Sequence, residues 1–183
     1  MNYLKFPLVL LFSLSICSVI AQKSADNKQM DPEKSIYKNA KDSGNHDLLL
    51  AAVKASDLDL ILDNDGPFTV FAPSDINFDN STKKKVIELV RVKNKKELQT
   101  LLGYHIVAGK LTASKILKAL CSGKGRATFT TISGDILTAT MSGLDIVLTD
   151  KFGHKSVITK ADANQCNGVF HVIDSVDHKL SKV

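Results

Sequence analysis

The chain has 183 residues, 44% of them hydrophobic and 23% charged, and a formal charge of +5. That balance belongs to a globular protein with one core and short extensions, and it excludes a disordered or fibrous chain. Much of the basic excess sits in Lys83-Lys84-Lys85 and at Arg91, Lys93, Lys95 and Lys96. No aromatic residue interleaves with it, so the stacking half of a nucleic-acid site is missing and the run reads as a solvated helix face.

The first 21 residues predict an export signal. Lys5 gives the positive start, Pro7 to Ile16 is almost wholly apolar, and Val19-Ile20-Ala21 precedes a cut after Ala21. The apolar run is too short to span a bilayer comfortably, so no integral membrane span is expected. A rival reading stays open: Leu14-Ser15-Ile16-Cys17 partly matches a bacterial lipoprotein box, in which Cys17 would carry lipid and hold the chain in the periplasm or at a surface. Residues 22–34 are polar and read as a flexible tail, and residues 35–180 as one domain.

From Asn45 the spacing of Leu48, Leu49, Ala52 and Val53 predicts a helix, with Gly44 and Asn45 as caps. A second short helix fits Leu58 to Leu62. Gly66-Pro67 marks a turn, and Phe68 to Phe71 is a β-rich run too apolar to leave a face in water, hence a buried central strand. Pro73 ends its ladder, and Ser74 or Asp75 can cap the short helical turn that follows. Ile76 and Phe78 would fold back on the strand. Thr82 is read as the cap of a helix running to about Val92, although Asn80-Ser81-Thr82 also fits a glycosylation acceptor. Further helices fit Lys95 to Gly103 and Ala113 to Leu120, the latter capped by Thr112, with a short strand at Tyr104 to Val107 between them.

Beyond Gly125 the period switches from helix to strand. Residues 127–132, 136–141, 145–149, 157–159 and 169–174 are short and β-rich, separated by glycine-containing turns. Helices in the first half and strands in the second predict an α+β fold, with a helical layer on a mostly antiparallel sheet. The two most apolar strands, near 68–71 and 169–173, are expected where the layers meet.

Three segments carry a resemblance. Phe71-Ala72-Pro73-Ser74-Asp75, with Phe78, resembles the first signature of the fasciclin domain. Leu102-Gly103-Tyr104-His105-Ile106-Val107 is similar to its middle segment, and Asn167-Gly168-Val169-Phe170-His171-Val172-Ile173-Asp174 to its closing one. The resemblance covers about residues 35–180 and implies a compact β-sandwich or wedge flanked by helices. With the export signal and no internal repeat, the chain reads as a secreted, single-module member, and the lean signal points to a bacterial source. Such a protein would act without enzymatic activity or cofactor, as a monomer, in adhesion to an extracellular or cell-surface protein or polysaccharide. In some members the tyrosine–histidine segment contacts a receptor, which maps here onto Tyr104, His105, Ile106 and Val107; packing of Tyr104 in the core is the competing reading. No Arg-Gly-Asp sequence is present.

Other chemistry finds little footing. No G-x-S-x-G elbow, H-E-x-x-H pair or phosphate loop occurs, and a Ser74, Asp75 and His105 constellation has to compete with a capping role for the first two. A cleft between the helices and the sheet could instead hold a small apolar ligand. His171 lies in an apolar strand and is expected to be a satisfied core residue, with Asp75 or Asp174 as candidate partners. Cys121 and Cys166 lack zinc spacing. In an exported chain they are expected to form a disulfide worth about 3–4 kcal/mol, the alternative being two inert thiols.

Overall fold

The computed structural model describes residues 30–175. The expected export signal, Cys17, residues 22–29 of the polar tail, and residues 176–180 of the expected domain lie outside the described residues. Residues 30–34 are bonded to the domain: Asp31 N–H donates to Asn39 Oδ1 (2.8 Å), and Lys34 C=O accepts from Cys166 N–H (3.1 Å).

Among the described residues there are six α-helices and seven strands. In chain order they are α1 (Ile36–Ser43), α2 (Asp47–Ala55), α3 (Asp59–Asn64), β1 (Phe68–Pro73), α4 (Asn80–Arg91), α5 (Lys95–Gly103), β2 (Ile106–Ala108), α6 (Ala113–Ser122), β3 (Arg126–Thr130), β4 (Ile136–Ser142), β5 (Asp145–Thr149), β6 (Lys155–Gln165) and β7 (Gly168–Ile173). A 3₁₀ turn, Asp75–Asn77, follows β1. The α+β class is as expected. The strands, however, form one continuous sheet in the order β2-β1-β7-β6-β5-β4-β3. An isolated bridge from Val107 to Thr131 draws its two edges together, so the sheet curls into a nearly closed barrel. Only β1 and β7 pair in parallel, Phe68 opposite Gly168 through Pro73 opposite Ile173; the other strand pairs are antiparallel.

The period-2 pleat of β1 explains its unbroken apolar run. Val70 and Ala72 face a core built with Leu49, Val53, Leu98 and Leu102 of the helices, while Phe71 faces a second core inside the sheet with Ile116, Leu120, Leu137 and Leu148. Across the parallel seam Phe170 joins the first core and Ile173 the second. Each buried phenylalanine contributes about 1.5–3 kcal/mol relative to exposure. Helix α6 supplies Ile116 and Leu120 to the sheet's interior.

Several local expectations change. Helix α1 went unread, yet Ser35 accepts from Lys38 N–H at its start and Gly44 closes it in the left-handed region (φ 64°). The N-cap of α4 is Asp79, which accepts from Ser81 N–H (2.7 Å) and Thr82 N–H (3.0 Å), so Thr82 lies one turn inside. Asp75 caps α2 rather than its own turn: its two carboxylate oxygens accept from Asp47 N–H (2.8 Å) and Leu48 N–H (3.0 Å). Ser74 makes no side-chain cap bond. Strand β6 extends to Gln165, because bulges between Ile158 and Ala163 break the alternation that marks a strand in sequence. Cys121 and Cys166 are free and exposed, so the expected disulfide is not formed. The first ends α6 against β3, whereas the second lies in the turn before β7, bonded to Lys34 beside α1.

Candidate functional site

Most of the signature residues serve the frame. Asn167 Nδ2 donates to Leu62 C=O and Asp65 C=O (both 2.9 Å), its Oδ1 accepts from Ile36 N–H (2.8 Å), and its carbonyl accepts from Phe68 N–H (3.0 Å). One residue thereby ties the start of α1, the end of α3 and the start of β1. Gly168 follows with φ 157°, and a Cβ there would stand 2.0 Å from Phe68 O. Asp174 Oδ1 accepts from Val157 N–H (2.8 Å), closing β6 on β7. Phe78 lines a small apolar cavity together with Pro73, Val86 and Leu101.

His171 is buried and stacked on Phe71, ring centroids 5.2 Å apart. Its partners are neither Asp75 nor Asp174. Nε2 lies 2.8 Å from Leu111 C=O and Nδ1 accepts from Asp162 N–H at 3.2 Å, which together assign the neutral Nε2–H tautomer. Burial holds its pKa below the ordinary histidine value, partly opposed by the Leu111 carbonyl and Asp162. His46, buried at the start of α2, likewise bonds Pro73 C=O through Nδ1 (2.9 Å), meets the Phe170 ring edge-on, and has its pKa lowered chiefly by burial.

The Tyr104–Val107 segment splits by direction. Ile106 is buried in the helical core and Val107 in the sheet's interior, out of reach of a partner. His105 is half-buried and lines an apolar slot with Leu49, Val53, Leu102 and Phe170, whose free volume of about 20 Å³ is room for one water. Tyr104, half-buried at the end of α5, turns toward the hairpin loops. Lys151 Nζ stands 5.2 Å from the centre of its ring and 5.0 Å from that of Phe152, and pairs with Asp135 at 2.7 Å. The Asp135 carboxyl is held below the usual carboxylate range first by Lys151, with Ser133 and Tyr104 adding; the lysine is raised in turn by Asp135 and Tyr104.

The loops that bring these groups together have clear local causes. Asp150 Oδ1 accepts from Phe152 N–H (2.8 Å) and His154 N–H (2.9 Å), folding the β5–β6 turn. Gly103 lies so near the β3–β4 loop that a Cβ would meet Ser133 Cβ at 3.0 Å. Phe152 beside the lysine is 48% exposed, and Ile132 and Ile136, which flank the Ser133–Asp135 loop in sequence, are also open to solvent, Ile136 at 55%. Sequence reasoning missed Asp135, Lys151 and Phe152, having read their turns only as separators. An aromatic residue in the polar turn Asp150-Lys151-Phe152-Gly153 was the available signal.

This arrangement supplies cation, ring and apolar edge for contact. The carboxylate of Asp75 is occupied by two amides, and among the described residues no group of three His, Cys, Asp or Glu side chains is placed to hold a metal ion.

The fasciclin domain model matches residues 44–176. The Synechocystis protein sll1483 is 37% identical over 128 residues, covering 70% of this chain and 64% of that protein. A second Synechocystis protein, sll1735, is 33% identical over 70% of this chain and 85% of its own length. Mouse Stabilin-2 is 33% identical over 61% of this chain but only 4% of its own length, so the chain spans a small part of that relative and less than two thirds of sll1483. A solved FAS1 domain pair from the insect cell adhesion molecule Fasciclin I superposes with a TM-score of 0.67 at 18% identity, over 81% of this chain and 52% of that one, a likeness of fold.

Proposed function

The chain belongs to the fasciclin domain family, and from that premise we propose that it is an exported, non-enzymatic, monomeric adhesion module that engages an extracellular or cell-surface protein. The observation that carries this reading is Lys151 set over the Tyr104 and Phe152 rings, with Ile132 and Ile136 exposed on either side of the loop that supplies its partner Asp135. Aromatic anchors around a partly shielded cation, bordered by apolar side chains, have the composition of an interface hot spot. Fasciclin I, whose domain pair shares this fold, is a cell adhesion molecule, and that supports the reading by analogy of fold. The contact set contracts from Tyr104, His105, Ile106 and Val107 to Tyr104 and its loop neighbours, with His105 behind them. A carrier of a small apolar ligand finds less support, since such pockets span hundreds of Å³ and the slot beside His105 offers about 20 Å³.

The test is binding of the purified protein to cells or matrix of its source. Phe152→Ala should weaken binding about thirtyfold, the worth of one hot-spot side chain, with an unchanged unfolding transition; Lys151→Gln should weaken it about as much while giving up the Asp135 pair, at a cost in stability of no more than about 1 kcal/mol. Equal binding by both variants, or no binding by the parent, rejects this surface. The mass of the protein collected outside the cell separates cleavage after Ala21 from lipid attachment at Cys17.

A further inference from the structure

The stretch Asp79–Glu97 holds seven basic residues and three acidic ones, a net +4 against +5 for the whole chain. Two of its lysines are neutralised, Lys85 by Glu97 at 2.8 Å and Lys95 by Asp57. Lys83, Lys84, Arg91, Lys93 and Lys96 are exposed, and among the described residues none of them makes an ion pair. Helix α4 spends Thr82, Val86 and Leu89 on the core. On its outer side Lys83, Ile87 and Arg91 follow one another every four residues and so form one stripe. Ile87 is 51% exposed and Val92, just past the helix end, 56%. About half of each side chain is open to solvent, which leaves two aliphatic groups among the cations of this side.

We propose that the outer side of α4 and the turn leading to α5 dock on the anionic headgroups of a lipid membrane. Four uncompensated cations on α4 and its turn (Lys83, Lys84, Arg91 and Lys93), with Lys96 in the first turn of α5, match a layer of negative charge. Ile87 and Val92 decide the kind of partner. Between cations on a surface helix, branched aliphatic side chains gain free energy by entering the headgroup–acyl boundary. A soluble polyanion would offer them nothing to be buried in. A nucleic-acid strand would call for stacking rings, which the stretch lacks. Glu88 is the one exposed acid on α4 and weakens the field without cancelling it. This surface is separate from the Tyr104 cluster, so either can fail without the other.

Co-sedimentation of the purified protein with phosphatidylglycerol–phosphatidylcholine vesicles, compared with pure phosphatidylcholine, tests the proposal. Any contribution of the N-terminal segment is common to parent and variants. The parent should bind the anionic vesicles and release as salt is raised. Each cation removed should lower partitioning about fivefold, so Lys83→Gln with Arg91→Gln should lower it about twenty-five-fold. Ile87→Ser should lower vesicle binding about tenfold while leaving retention on dextran sulfate unchanged. All three positions are exposed, and an unchanged urea midpoint confirms that the variants fold. The proposal is overturned by absent binding, by equal binding to neutral vesicles, or by an Ile87→Ser variant that binds vesicles as the parent does. The last result combined with full competition by dextran sulfate would assign the surface to a soluble polyanion.

Discussion

In β1 and β7 both faces are covered, whereas in β4 only one is. Along Phe68–Pro73 every residue after the first is buried, because the helices lie on one side of the strand and the sheet's own interior on the other. Along Ile136–Ser142 the buried residues are Leu137 and Ala139, and the residues between them reach solvent. The parallel seam therefore carries stability, and the hairpin end carries accessible chemistry. This division also places the family's most diagnostic residues: Phe71, Asp75, Asn167, Gly168 and His171 hold the frame, while the side chains open to a partner lie in turns with weak signatures. Breaking the seam should cost folding. Altering the hairpin end should cost contact.

The largest effect is expected at Gly168. A methyl group there would overlap Phe68 O, a backbone atom in the paired strand, so no rotamer change relieves it. Gly168→Ala should cost more than about 4 kcal/mol by urea unfolding. The matched change in the hairpin half is Gly134→Ala, where φ is 83° and no atom lies within 4 Å of the added carbon. Only the left-handed backbone is penalised there, about 1–2 kcal/mol. Equal losses at the two sites would erase the proposed difference between the halves.

Asn167→Ala comes next. It strips Leu62 C=O, Asp65 C=O and Ile36 N–H of their side-chain partner at once. Water reaches part of this junction, so a loss of about 2–3 kcal/mol is expected. Hydrogen exchange should rise first at the start of α1. Protection spread evenly over the sheet would instead mean that the residue does not act locally.

Acid should weaken the seam before it touches the hairpins. His46 and His171 are neutral inside the fold, with pKa values lowered mainly by burial, whereas the unfolded chain takes up protons near the ordinary value of about 6.5. The unfolded state thus binds more protons below that value. The stability of the neutral pair is whole above about pH 6.5 and is lost as pH falls through the lowered folded-state values. The carboxylates held low, Asp63, Asp79 and Asp135, withdraw their contributions only near and below about pH 4, so the histidine loss begins first as pH falls. A urea midpoint that stays constant between about pH 7.5 and about pH 5.5 would count against buried neutral histidines.

The seam was legible in sequence for the same reason that it is stable. A strand buried on both faces shows as an apolar run, and Phe68–Phe71 and Val169–Ile173 could be read as such. Helix α5 and the cap Thr112 also stand where periodicity placed them. What escaped depends on long-range partners. Asp75 could be recognised as a capping residue, but not that its helix begins 28 positions earlier. The bulges of β6 cancel its alternation, and the near-closure of the sheet rests on Val107 meeting Thr131, a pairing with no local trace. The Tyr104 site was half legible. The tyrosine belongs to a recognisable segment, whereas Lys151 and Asp135 arrive from two turns that only the folded sheet sets side by side.

The smallest effect sharpens the comparison most. Phe152→Ala removes a ring that is 48% exposed and packed mainly on Lys151 and beside His154, at a centroid distance of 6.0 Å from the latter. No core residue loses its cover, so the change in stability should stay within about 0.5 kcal/mol. The Lys151–Asp135 pair should survive as well, since its geometry is set by the β3–β4 and β5–β6 loops and the Tyr104 ring still shields the ammonium. A loss above about 1.5 kcal/mol, the scale of a partly buried core contact, would make Phe152 a structural residue and remove the main reason for placing contact at this end of the sheet. A silent change in stability, together with weakened adhesion, would separate what holds the domain together from what the domain offers to its surroundings.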